Sequence, residues 1–173
     1  MNYNPSTIAR IGDIHNGIFV ESGESLWSVW GTKVQADVFT VYNRVIIHGL
    51  FAEVTETIAG AVQTVFNYRQ TEPIIASAEL SSVHATIANY VPGSRITYVG
   101  GSVVAAAITS ALGAISYLTS TIPTILGVTP LAGVTSTGII GMLSSVTDAS
   151  DGTLKFGVLY TPIDKGAYIE ALL

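Results

Sequence analysis

Leu154-Lys155-Phe156-Gly157-Val158-Leu159-Tyr160-Thr161 is the stretch on which the reading of this chain turns. Leu154, Phe156, Val158 and Tyr160 fall on one face of an extended chain, and Lys155, Gly157, Leu159 and Thr161 fall on the other. Side chains alternate across a strand with a period of two, so this segment predicts a strand with one face in a core. Asp151-Gly152 just before it reads as a hairpin turn.

The same signature recurs nearer the N-terminus. Val38-Phe39-Thr40-Val41-Tyr42 and Val45-Ile46-Ile47-His48-Gly49-Leu50-Phe51 are rich in β-branched and aromatic residues, which fit a pleated surface. Val62, Thr64, Phe66 and Tyr68 alternate with Gln63, Val65, Asn67 and Arg69 as a half-buried strand should, and Pro73 ends that run. Pro92-Gly93 marks a turn into Arg95-Ile96-Thr97-Tyr98-Val99, closed by Gly100-Gly101. The sum is a mainly β fold, a sandwich or jelly-roll-like barrel over residues 37–173, with room for one short helix. Residues 1–36 read as an extended N-terminal arm, because Asn4-Pro5-Ser6, Asn16-Gly17, Ser22-Gly23 and Gly31 punctuate them too often for long elements.

From Ile96 to Thr147 there is no Asp, Glu, Lys, Arg or His. Within it, Val104, Ile108, Ala111, Leu112, Ile115 and Leu118 recur at helical spacing, with Ser102 as a cap. Gly113 and the β-branched neighbours make short strands an equal alternative. The apolar window Val103–Leu118 is shorter than the roughly 20 residues a spanning helix needs, and Pro123 and Pro130 would break a helix beyond it, so no membrane span is expected. A neutral surface of this length points instead to burial against other copies or a larger body.

Composition narrows the function. The 173 residues carry a formal charge of −5, with 7 basic residues scattered along the chain, which does not make a nucleic-acid surface. Without cysteine there is no disulfide framework, thiol nucleophile or thiolate metal site. His15, His48 and His84 lack ligand spacing, so no metal or cofactor is expected. Glu53 and Glu56 read as solvated charges flanking a turn, and no Gly-x-Ser-x-Gly elbow or phosphate loop occurs. No catalytic constellation emerges, and an enzyme is not expected. Trp27 and Trp30 in the arm have two readings, as anchors of the arm to its own core or as interface anchors, where Trp is enriched.

Three stretches carry a resemblance. The run from Ala36 to Ile58, with Phe39-Thr40-Val41 leading into an apolar strand and Val54-Thr55-Glu56-Thr57-Ile58, resembles the opening of a group of small tailed-bacteriophage structural proteins. Gly152 to Ala171, with Lys155-Phe156 and then Tyr160-Thr161-Pro162-Ile163-Asp164-Lys165-Gly166-Ala167, is similar to that group's ending, and Pro92 to Gly101 to its middle strand. This chain departs from the pattern in having Phe156 where Trp is commoner, and Tyr42-Asn43 where a Thr-Gly turn is usual. The resemblance implies a non-enzymatic virion protein. It implies a particle more than a place in it; within the particle, a capsid decoration, or cement, protein on the outer capsid surface is expected. Such a protein would be a homotrimer that binds the major capsid protein, with no nucleic-acid or membrane partner. A head fibre, spike or tail component is the alternative, and a β-barrel binder of lipid or another small ligand a more remote one.

Overall fold

The computed structural model describes residues 17–26, 35–59, 63–81, 87, 89–100, 115–120, 124–128, 135–144 and 152–172. Eleven strands are formed in these: β1 (Ile18–Leu26), β2 (Gln35–Tyr42), β3 (Val45–Glu56), β4 (Thr64–Glu72), β5 (Ile75–Glu79), β6 (Arg95–Gly100), β7 (Ile115–Ser120), β8 (Thr124–Leu126), β9 (Thr137–Ser144), β10 (Thr153–Pro162) and β11 (Tyr168–Ala171). No helix occurs among the described residues, and none is long and apolar enough there to cross a membrane.

The strands make two sheets. The first has the order β1-β10-β3-β6-β7, with β8 also paired to β3; the second has the order β11-β2-β9-β4-β5. All pairings are antiparallel except the parallel β6–β7 pair. The sheets pack face to face as an open sandwich, so of the two predicted architectures the sandwich is the one found. Phe66 of β4 meets Phe156 of β10 edge to face across the layers, with ring centroids 6.5 Å apart. Around that contact Phe39, Ile47, Leu50, Ile96 and Ile140 are fully buried, each contributing about 1.5–3 kcal/mol by removal from water.

The Leu154–Thr161 strand is central, as its alternation demands. β10 lies between β1 and β3, with Leu154, Phe156, Val158 and Tyr160 all buried in the core. The hairpin expected at Asp151-Gly152 is not formed, because β10 pairs with β1 and β3 and β9 belongs to the other sheet. Gly152 has φ +124°, and a Cβ there would stand 2.7 Å from the Ile58 side chain and 2.8 Å from the Thr57 carbonyl. Glycine serves a close backbone approach at this point, not a two-residue turn.

The extent of the N-terminal arm is corrected as well. Ile18–Leu26 is not an arm segment but the edge strand β1, paired with β10. Ser22-Gly23 makes a bulge there, and the register passes from Glu21↔Gly157 to Glu24↔Lys155. The buried Ser22 hydroxyl accepts the Phe156 N–H at 3.0 Å and donates to the Gly23 carbonyl at 2.7 Å, so the extra residue does not leave the Phe156 amide unpaired. The charge-free run is largely strand where it is described. Ile115–Ser120 is β7, so the end of the helically spaced set is extended, while residues 101–114 lie outside the described residues. β9 runs through the middle of the second sheet, flanked by β2 and β4, with Gly138, Ile140, Gly141 and Met142 buried. Its neutrality is explained by neighbours in its own chain.

Candidate functional site

One end of the sandwich gathers the features that a binding surface requires. The β2–β3 turn, the β4–β5 turn, the end of β8, the start of β9 and the β10–β11 connection all meet there, since Tyr42 pairs with both Thr137 and Tyr168, Glu72 with Thr137, and Val45 with Leu126 and Pro162.

Beneath this end lies a buried polar network. Asn43 takes φ +58° in the β2–β3 turn, a left-handed conformation that asparagine tolerates where most residues do not. Its N–H donates to the Ser136 carbonyl at 2.7 Å, its Oδ1 accepts the Ser136 N–H at 3.1 Å, and its Nδ2 reaches the Gly166 carbonyl at 3.4 Å. Gln70, on the inner face of β4, shares its two Nε2 hydrogens among the Glu72 carbonyl at 2.7 Å, the Thr137 carbonyl at 2.7 Å and Ser136 Oγ at 2.8 Å. Its Oε1 accepts the Tyr68 hydroxyl. Burial pushes the Tyr68 phenol up to about 12, with a backbone hydrogen bond from Gly127 opposing the shift. The same hydroxyl fills the space over Gly138, where any Cβ would collide with it. These bonds join the turns of both sheets, because each buried polar group finds a partner on a different element.

An ion pair closes the connection after β10. Arg44 Nη2 lies 2.7 Å from Asp164 Oδ1, while its Nε and backbone N–H reach Oδ2 at 3.0 and 3.1 Å. The guanidinium holds the Asp164 carboxyl below the usual carboxylate range, and the hydrogen bond to Asp164 raises Arg44 in turn. Ile163 N–H donates back to the Arg44 carbonyl at 2.9 Å, a second tie between the two loops.

On this fixed base sit exposed apolar side chains. Among the described residues seven large hydrophobics are exposed, and Ile74, Ile75, Ile125, Ile163 and Tyr168 of them lie at this end. Ile74, in the turn after Pro73, is 88% exposed and Ile125 62%. Tyr168 stacks on Tyr42 with centroids 4.3 Å apart, and the Tyr42 hydroxyl points to Glu170 at 3.4 Å. The arrangement offers exposed apolar side chains beside the Arg44–Asp164 pair, with the exposed Glu72, Lys165 and Glu170 among them.

The residues singled out from sequence are not brought together. Trp27, Trp30, His15 and His84 lie outside the described residues. His48 is on the outer face of β3, with Nε2 2.8 Å from Thr161 Oγ1. Glu53 sits within β3 and the exposed Glu56 is its last residue, three positions apart on an extended strand, so the two do not share a face. No group of three His, Cys, Asp or Glu able to hold a metal occurs among the described residues. The network around Asn43 and Gln70 has one signal in the sequence, Asn43 standing where a turn glycine is usual, and residue order does not otherwise reveal it. No protein-family model matches the chain, and comparison with curated proteins and with solved structures finds none similar to it.

Proposed function

We propose that this chain is a non-enzymatic virion structural protein, a capsid decoration protein that docks on the assembled phage head and stabilises it. The single observation that carries the reading is the apolar end: exposed Ile74, Ile125 and Ile163 held in place by buried hydrogen bonds and the Arg44–Asp164 pair. Such a surface binds by burying apolar area at its centre while the exposed Glu72, Lys165 and Glu170 stay at its rim. Burying what is still exposed of these three isoleucines, a little under two whole side chains, is worth roughly 3–6 kcal/mol, against an association cost of about 4–15 kcal/mol. One such contact is therefore marginal alone. Repeated around a homotrimer on a symmetric shell, it becomes strong through effective concentration. Trp27 and Trp30 would add anchors on the major capsid protein.

The test is the protein's position in assembled particles. Density at capsid threefold or quasi-threefold positions supports the reading. Density only at the neck, tail or a fivefold vertex replaces it with a fibre, spike or tail component. An Ile74→Asp/Ile125→Asp double variant should lose particle occupancy while keeping its melting temperature, since both side chains are exposed; unchanged occupancy would remove this end from the docking argument.

A further inference from the structure

The outer face of the first sheet carries a row of charges whose order has a consequence for self-association. Register places Glu24 of β1 beside Lys155 of β10, Lys155 beside Glu53 of β3, and Glu53 beside Arg95 of β6. Cross-strand partners share a face, so the row reads minus, plus, minus, plus across four strands. Lys155 bonds diagonally to Glu21 at 2.7 Å, and Arg95 bonds to Glu53 at 2.6 Å. Beside the row, the Phe19 and Phe51 rings lie nearly parallel, 6.0 Å apart, and roof the bare backbone of Gly157. Arg95 stacks over Phe51 at 5.2 Å.

A row of alternating sign with an even number of members is antisymmetric on reversal. A twofold axis parallel to the strands, midway between β10 and β3, sets Glu24 against Arg95 of a second copy and Lys155 against Glu53 of the second copy. Every charge in the row then meets its opposite, and the Phe19–Phe51 pairs of the two copies meet beside the axis. Shifting the row by one strand sets like charges together, so the register is specified. We propose that this face is a twofold self-association surface, its occupant a second copy of the same chain. The pairing is independent of the virion reading, and it applies equally to a monomer or to copies already joined as trimers.

Size bounds its strength. Four strands at about 4.8 Å and three rows at about 6.8 Å give roughly 400 Å² per copy. Twice that falls below the roughly 1,200–2,000 Å² of a stable interface, so the pairing is weak and is favoured by local concentration. Lys155 and Glu53 sit about a third exposed, within reach of salt screening.

Sedimentation of the full chain tests this. Wild type should double its mass reversibly at about 50 mM salt, and its association constant should fall at least about tenfold at about 500 mM. Lys155→Glu alone and Glu53→Lys alone should each fail to pair, because each places like charges across the axis twice. Mixed in equal amounts, these two variants should pair again, since every position is then complementary. The Arg95→Glu and Glu24→Arg pair obeys the same rule and replaces the first pair if either of its members melts early. Mass doubling that is unaffected by the single variants, failure of both mixtures to pair, or a wild type that never doubles would overturn the proposal.

Discussion

Replacing Gln70 by Met removes the centre of the buried network while nearly conserving shape. Gln70 is 5% exposed, and its amide serves the Glu72 and Thr137 carbonyls, Ser136 Oγ and the Tyr68 hydroxyl. Thr137 and Glu72 face one another across β9 and β4, so both lost carbonyl bonds fall at the same end. Leaving a buried polar group without a partner costs about 1–3 kcal/mol, and the change combines the buried bond to Ser136 Oγ with the two part-buried carbonyl bonds. The expected loss is therefore about 3–5 kcal/mol. For a chain of this size, at about 2–4 °C per kcal/mol, the melting temperature should fall by roughly 10 °C or somewhat more. Differential scanning calorimetry reads this directly, with Ser77→Ala as the comparison. The Ser77 hydroxyl accepts one bond from Asn67 at 3.2 Å on the outer face of the second sheet, and its removal should cost about 1 kcal/mol or less. Under the docking reading, folded Gln70→Met protein should also bind particles less tightly, because the Ile74 turn loses its base. A fall no larger than that of Ser77→Ala would contradict this account: water would then be entering the end of the sandwich and replacing the bonds.

The same contacts give three further expected outcomes. A double-mutant cycle with Phe66→Leu and Phe156→Leu should return a coupling of about 0.5–1.5 kcal/mol by denaturant unfolding, and additivity would show that the edge-to-face contact is not specific. Stability should fall as pH rises, because the Tyr68 phenol is raised from its ordinary value of 10 to about 12 in the folded chain. The favourable term is complete below pH 10 and is lost as pH passes through about 12, so Tyr68→Phe should flatten the alkaline limb of a melting-temperature profile. At the acid end the sign is reversed. Asp164 is lowered by its hydrogen bond to Arg44, so its contribution is complete above the ordinary carboxylate value and is lost as pH drops through the depressed one. Asp164→Asn should lower the melting temperature at neutral pH and remove that part of the acid transition; equal losses at neutral and at strongly acidic pH would contradict it.

The strands are legible where one face meets the core and the other does not. Leu154 to Thr161 writes burial into the order of residues. Val38 to Tyr42 is legible from its β-branched and aromatic content, although Val38 and Phe39 are both buried, and Arg95 to Val99 from its flanking turns; all three are strands. Val45 to Phe51 is legible despite a local irregularity, in which Gly49 faces Leu159 and Ile47 faces Tyr160. The Ser22-Gly23 bulge reads as loop because glycine marks turns and bulges alike, and only the Ser22–Phe156 bond separates them. Asp151-Gly152 misleads for a related reason: the dipeptide signals a local turn, and the next strand's partner is not local.

The class of this protein is written in its order of residues: a mainly β chain without cysteine, with an alternation that commits its strands to a core. Local pattern is enough for that, because burial has a period of two along a strand. Which strand pairs with which, and hence what gathers at each surface, is settled in three dimensions. Asn43, Gln70, Ser136 and Asp164 are ordinary polar residues far apart in the chain, and they become one fixed end through hydrogen bonds between elements of both sheets. Glu24, Lys155, Glu53 and Arg95 likewise become a row only through strand register. Pairing energies between distant strands depend on the whole arrangement, and no single segment carries that information.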